Sequence, residues 1–336
     1  MSKMLTVENL SISFRTSEGV ITPVHDVTFG VEAGRTLGLV GESGSGKSIS
    51  TKALMQLLPG NASLSGETRM TYTDKAGKEI ALGRLKTGSK ELRRIRGGEI
   101  GMIFQEPMAS FSPVYTIGNQ MMEAIMLHRG LKKRAAREYA IEMLNKVGIS
   151  NASARVDQYP HELSGGMRQR AMIALTLSAG PALLIADEPT TALDVTIQAQ
   201  VLDLMRDLQR DLGMGMIFIT HDLGVIAQIA DDVAVMYLGT IVERGPARDV
   251  IRNPQHPYTQ GLLDAIPSVE HLHDRLKPVP GDIPSPTARP TGCPFHTRCA
   301  QAIAGTCDVT APTEVSTIPG RAVRCWLHSD KDRNAA

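Results

Sequence analysis

The chain has 336 residues, enough for one large domain with an appendage or for two domains, and 42% of them are hydrophobic, enough for a sizeable core. Lys and Arg number 36 against 35 Asp and Glu, a net charge of +1, so no global field draws in nucleic acid, and the short run Arg93, Arg94, Arg96 reads as a solvated face. The most apolar stretch, 171–186, is broken by Thr176, Ser178, Gly180 and Pro181, and residues 1–10 lack the layout of a signal peptide, so a cytosolic chain that could dock on a membrane protein is expected.

Leu5, Val7, Leu10, Ile12 and Phe14 alternate as in a half-buried strand, and a second strand is predicted over 20–31 after a turn at Glu18-Gly19. Residues 36–40, 183–186 and 214–220 are short continuous apolar runs, the pattern of parallel strands buried on both faces. Ala136, Tyr139, Ala140, Met143, Leu144 and Val147 repeat at helical spacing before a stop at Gly148. Ile197, Val201, Leu204, Met205, Leu208 and Leu212 do the same between an N-cap at Asp194 and a stop at Gly213. Strands alternating with helices predict an α/β fold with a largely parallel sheet. From residue 253 prolines crowd in, including Pro254, Pro257, Pro284, Pro286, Pro290 and Pro294, which predicts a boundary near 250 and an irregular, extended tail.

Gly41-Glu42-Ser43-Gly44-Ser45-Gly46-Lys47-Ser48 fits G-x-x-x-x-G-K-[ST], after a predicted strand and before the apolar helical positions Ala53, Leu54, Leu57 and Leu58. Its glycines let backbone N–H groups turn inward around phosphate oxygens, and the following helix adds its positive end. Lys47 can reach the β- and γ-phosphates of ATP, and Ser48 can ligate Mg²⁺. The plainer reading, a glycine turn with a chance lysine, needs neither flanking element. Asp187 and Glu188 end the run 183–186; two acids at a buried strand end are costly unless a Mg²⁺·nucleotide compensates them. Asp187 is then the metal residue and Glu188 the general base for water; ordinary turn acids are the alternative. His221 follows a third apolar run. A lone histidine is usually structural, but the carboxyl ends of parallel strands are where α/β sheets bind ligands.

Leu163-Ser164-Gly165-Gly166-Met167-Arg168-Gln169-Arg170 is a second glycine-rich helix start, where Ser164 and the amides of Gly165 and Gly166 could hold another anion. One nucleotide needs no two such sites from one chain, whereas two chains paired head to tail would use both. This segment resembles the LSGGQ signature of ABC ATPases, with Met167 in place of the usual glutamine. Gln105 in Phe104-Gln105-Glu106-Pro107 resembles the Q-loop, which senses Mg²⁺ and water; Ala192-Leu193-Asp194 resembles the D-loop; His221 resembles the switch histidine. Phe14 resembles the adenine-stacking aromatic of the A-loop, and is equally good as a strand core residue. The resemblance covers about residues 5–250. It implies a RecA-like P-loop NTPase core with an antiparallel β subdomain and a helical subdomain over about 108–178, in an ATP-binding domain of residues 1–250. It implies hydrolysis after two such domains close on two ATP molecules.

His256-Pro257-Tyr258-Thr259, then Leu262-Leu263, then Gly292-Cys293-Pro294-Phe295-His296-Thr297-Arg298-Cys299, and also the stretch 108–120, resemble a narrower group, the ATPases of dipeptide, oligopeptide and nickel importers. That group implies two integral membrane permease subunits, an extracytoplasmic solute-binding protein, a second and often different ATPase chain, and a place on the cytoplasmic face of the bacterial inner membrane. The rival reading is a soluble ABC ATPase acting on nucleic acid or the ribosome, but no basic track or long coiled coil supports it. Cys293, Cys299, Cys307 and Cys325 fall in the extension 251–336. Three readings are open: a [4Fe–4S] cluster, which some members of the resembling group carry, a structural zinc, or merely packed thiols.

Overall fold

A computed structural model describes residues 3–105, 110–191, 194–266 and 279–329. Glu106, Pro107, Met108, Ala192 and Leu193 lie outside the described residues, as does the prolyl stretch 267–278. The chain packs as two compact units. One contains Met1–Leu5, Val31–Arg35 and Tyr72–Ile219; the other contains Thr6–Gly30, Thr36–Thr71 and Thr220–Ala336.

In the first unit, strands Ile100–Ile103, Leu183–Asp187 and Gly215–Thr220 pair in parallel, with Ile103 opposite Ala186 and Asp187 opposite Ile219. Every residue of these three strands is buried, as their unbroken apolar runs predict. Each buried Leu or Ile side chain stabilises by about 1.5–3 kcal/mol. Helices Ile117–Arg129, Lys133–Lys146 and Gly165–Ser178 pack on one another. Thr116 caps the first by accepting from Asn119 N at 3.2 Å, and Gly130 ends it with φ 67°. Arg129 ties its end to Ser178 O at 2.8 Å. Helix Val195–Leu212 has the expected ends: Asp194 Oδ1 accepts from Ile197 N at 2.9 Å, and Gly213 turns out at φ 60°.

In the second unit the N-terminal strands Lys3–Thr16 and Gly19–Glu32 form an antiparallel ribbon, extended at Ile12–Phe14 by the strand Ala62–Leu64. Val315–Ile318, Arg321–Val323, Thr240–Pro246, Asp232–Tyr237 and Thr36–Val40 are hydrogen-bonded neighbours in that order, and of these pairs only the last is parallel. Two expectations fail here. The helix after Lys47 ends at Leu54, short of Leu57 and Leu58, because Gln56 takes a left-handed φ of 49° and Pro59 follows. The tail is also more ordered than its prolines suggested. It forms helix Pro257–Asp264, with proline in the first turn where no N–H is needed, and the Val315–Ile318/Arg321–Val323 hairpin, turned at Gly320. Arg321 locks that hairpin by pairing with the fully buried Glu243 at 2.7 Å.

Candidate functional site

The strand Thr36–Val40 delivers the chain, fully buried, to a loop that must reverse before the helix starting at Lys47. Gly41, Gly44 and Gly46 make that reversal at φ 155°, 79° and 98°. A Cβ on Gly41 would stand 2.1 Å from the carbonyl oxygen of Met236, so no larger residue fits. Ser43 and Gly44 form the exposed crest, and Ser45 is held from behind as its carbonyl accepts from Gly239 N at 2.9 Å. Lys47 is 4% exposed; its ammonium donates to Gly41 O at 2.7 Å, Glu42 O at 2.9 Å and Ser45 Oγ at 3.3 Å. The cation therefore sits inside the loop, next to the first turn that carries Ser48. His221 stands exposed in the same unit, one residue past the strand Gly215–Thr220. Phe14, paired with Ala62, is 9% exposed and is packed as a core residue of the ribbon.

In the other unit Asp187 ends its strand 2% exposed, and the backbone then breaks left-handed at Glu188, φ 47°. That conformation costs a non-glycine residue about 1–2 kcal/mol. It is held by Glu188 N donating to Ile219 O at 3.0 Å. The Glu188 carboxylate Oε2 accepts from Gln105 Nε2 at 3.0 Å and from Thr191 Oγ1 at 2.9 Å. So Gln105 and Glu188, 83 residues apart, meet. Gln169, 3% exposed, donates to Pro189 O and anchors the turn beyond Glu188 to the helix Gly165–Ser178. Sequence reasoning missed both Thr191 and Gln169. Gln169 lies within the quoted segment 163–170, but its bond to Pro189 O, like that of Thr191 to Glu188, is visible only in the fold.

Ser164 caps that helix, its Oγ accepting from Met167 N at 3.4 Å. Ser164 and Gly165 are exposed, and a Cβ on Gly165 would meet nothing within 4 Å.

In the tail, Cys293, Cys307 and Cys325 are buried and Cys299 is half-buried, all as free thiols. Burial pushes the Cys293 and Cys325 thiols up to about 11, and Cys325 also feels the charges of Cys293, Cys299 and Cys307. Cys293 N donates to Cys307 O at 2.7 Å, and Ile303 N to Cys307 Sγ at 3.3 Å. Among the described residues, however, no group of three or more His, Cys, Asp or Glu side chains is arranged to hold a metal ion. The thiols are neighbours, yet they do not converge as the compact donor set of a zinc site would. Trp326, next to Cys325, is half-exposed and donates to Thr310 O at 2.9 Å. No helix among the described residues is long and apolar enough to cross a membrane.

Residues 24–191 match the family model described as ABC transporter, and residues 242–307 match that of the oligopeptide/dipeptide transporter C-terminal region. A Brucella abortus protein described as a peptide import ATP-binding protein is 48% identical over 96% of both chains. The dipeptide transport ATP-binding protein of Bacillus subtilis is 44% identical over 100% of this chain and 98% of its own. Among solved structures, a dimeric ATP-binding cassette in a post-hydrolysis state with ADP and Pi is 26% identical, with a TM-score of 0.62 over 73% of this chain and 99% of that one. An ABC transporter component from Clostridium perfringens is 25% identical, with a TM-score of 0.62 over 75% of this chain and 92% of its own. None of these matches supports the rival reading of an ATPase acting on nucleic acid or the ribosome.

Proposed function

Because the chain belongs to the ABC transporter family, as the ATP-hydrolysing subunit of a peptide-type importer, we propose that loop 41–48 grips the nucleotide phosphates and that Glu188 is the base that activates water. Lys47 and the loop amides of Gly44, Ser45 and Gly46 bind the phosphates. Bound Mg²⁺ supplies charge compensation for those phosphates, and Ser48, Gln105 and Asp187 would hold it. Their hydroxyl, carboxamide and carboxylate oxygens are the hard donors that such an ion takes. Gln105 and Thr191 keep the Glu188 carboxylate oriented, so that it can accept a proton from water in line with the γ-phosphate. His221 assists at the same phosphate, and Phe14 is the aromatic nearest in sequence pattern to an adenine platform.

The observation that carries this reading is the Glu188 carboxylate itself, held by Gln105 Nε2 at 3.0 Å and Thr191 Oγ1 at 2.9 Å directly after the buried strand that ends at Asp187. Glu188→Gln keeps the shape and removes the base. ATP binding should persist while turnover falls by about 10²–10⁴; undiminished turnover would contradict the assignment.

We further propose an ATP-binding domain of residues 1–250, with its helical part over about 108–178, followed by the extension 251–336. The Ser164–Gly165–Gly166 tip would close the phosphate site of a second ATPase chain, a paralogue, beneath two permease subunits fed by a solute-binding protein. The assembly would lie on the cytoplasmic face of the bacterial inner membrane, with a di- or oligopeptide as cargo. For the cysteines we propose a [4Fe–4S] cluster. Four neighbouring, mostly buried thiols support it, and a cubane holds its ligands farther apart than a single zinc ion does. Iron analysis under argon tests it: about four irons per chain, lost in Cys293→Ser and Cys325→Ser, is the expected result, and iron-free, colourless protein would contradict it.

A further inference from the structure

The second residue of the phosphate loop, Glu42, is clamped by the C-terminal extension. Arg298 Nη1 donates to Glu42 Oε2 at 2.8 Å and Nη2 to Oε1 at 3.1 Å, a two-point fork across 256 residues of sequence. The Arg298 side chain is 4% exposed and that of Glu42 25%. The guanidinium is itself fixed, since Nε donates to Pro280 O at 2.8 Å and Nη2 also reaches Val279 O at 3.3 Å. Burial works most strongly against its charge, but the hydrogen bonds and charges of Glu42 and Tyr237 together outweigh it and raise the Arg298 pKa.

The backbone of Glu42 is held as well, its N–H donating to the Tyr258 hydroxyl at 2.9 Å. Tyr258 is fully buried and packs against Tyr237 and Phe295, with ring centroids 4.8 and 5.4 Å away. Phe295 lies between Cys293 and Cys299, and Arg298 directly precedes Cys299. Glu42 O, in turn, accepts from the Lys47 ammonium. A short chain of contacts thus runs from the cysteine segment to the phosphate-binding lysine. A second tail arginine, Arg289, donates to Leu238 O and, at 2.8 Å, to Thr240 Oγ1, gripping the turn whose Gly239 backs Ser45.

We propose that Arg298 and Tyr258 are positioning residues of the phosphate loop, so that the C-terminal extension is a working part of the nucleotide site. The inference rests on loop 41–48 being that site. Arg298 neutralises a carboxylate that would otherwise repel an incoming polyanion, and Tyr258 fixes the direction of the Glu42 peptide. A residue that only stabilised the tail would not make the worth of Arg298 depend on the charge at position 42.

The test titrates the full-length chain with a fluorescent ATP analogue. Arg298→Gln should weaken binding on the order of tenfold, within the usual range of site coupling. The same substitution in a Glu42→Gln background should cost no more than about twofold, because the repulsion is gone. Should Arg298→Gln fail to fold, Tyr258→Phe removes one hydroxyl and should weaken binding about threefold. Unchanged affinity in these variants, or an equal loss in both backgrounds, overturns the proposal while Lys47→Ala still abolishes binding. If Lys47→Ala leaves affinity intact, the phosphate-loop reading fails and the inference falls with it.

Discussion

Helices Lys47–Leu54 and Gly165–Ser178 both begin at glycine-rich tips, yet only the first tip needs its glycines for its own backbone. At Gly41, Gly44 and Gly46 the chain runs left-handed, and at Gly41 a side chain would strike Met236. Gly165 has no positive φ, its missing Cβ would point into open space, and Ser164 caps the helix in the ordinary way. The glycines of the first tip are thus required by the path of its own backbone. Among the described residues nothing fills the space beside Gly165, which leaves the second tip open to something that approaches from outside. Under the proposed function, that visitor would be the nucleotide on the facing subunit.

This contrast can be broken by substitution. Gly41→Ala should cost about 2–5 kcal/mol of stability, from left-handed strain plus overpacking; a denaturant melt as robust as the parent's would remove the clash from the account. Gly165→Ala should do the opposite. Stability should hold or rise by roughly 0.5–1 kcal/mol, as alanine favours the helix. ATPase activity of the assembled transporter should still drop by about tenfold or more, since an anion-binding tip is obstructed. A variant that keeps full activity, or that unfolds, would make the two tips alike.

The smallest expected effect is one of pH. Burial lowers the pKa of His256 to about 3 from its usual 6.5, with the nearby His328 adding to the shift. His256 Nδ1 accepts from Tyr258 N at 3.0 Å and caps the helix that carries Tyr258. A depressed histidine stabilises fully above pH 6.5 and loses that contribution as pH falls toward 3, because the unfolded chain takes up the proton first. The slope is at most about 1.4 kcal/mol per pH unit. Acid should therefore loosen the backing of the first tip; hydrogen exchange over 257–264 that ignores pH between 7 and 5, or that responds equally in His256→Gln, would contradict this.

Much of this was legible in the sequence, where short-range spacing carries the physics. The loop 41–48, the buried run ending at Asp187 and the Ser164 cap are each fixed within eight residues, so composition and order suffice. The helix after Lys47 was overextended because Leu57 and Leu58 keep the helical period, while the left-handed Gln56 leaves no pattern. The tail's hairpin was hidden because its register is set by Thr240–Pro246, some seventy residues earlier, and by the buried Arg321–Glu243 pair. The Arg298–Glu42 fork could not be read at all: one charged residue of each sign, 256 positions apart, is indistinguishable from any other such pair until the chain folds.

Site-directed cross-linking probes the outward-facing tip most directly. A photoreactive side chain at position 165, in the assembled transporter with ATP and a hydrolysis-blocked Glu188→Gln background, should capture the phosphate loop of the facing ATPase subunit, and only when nucleotide is present. Capture of nothing but solvent, or of the same chain's own segments regardless of ATP, would contradict a nucleotide shared between two chains.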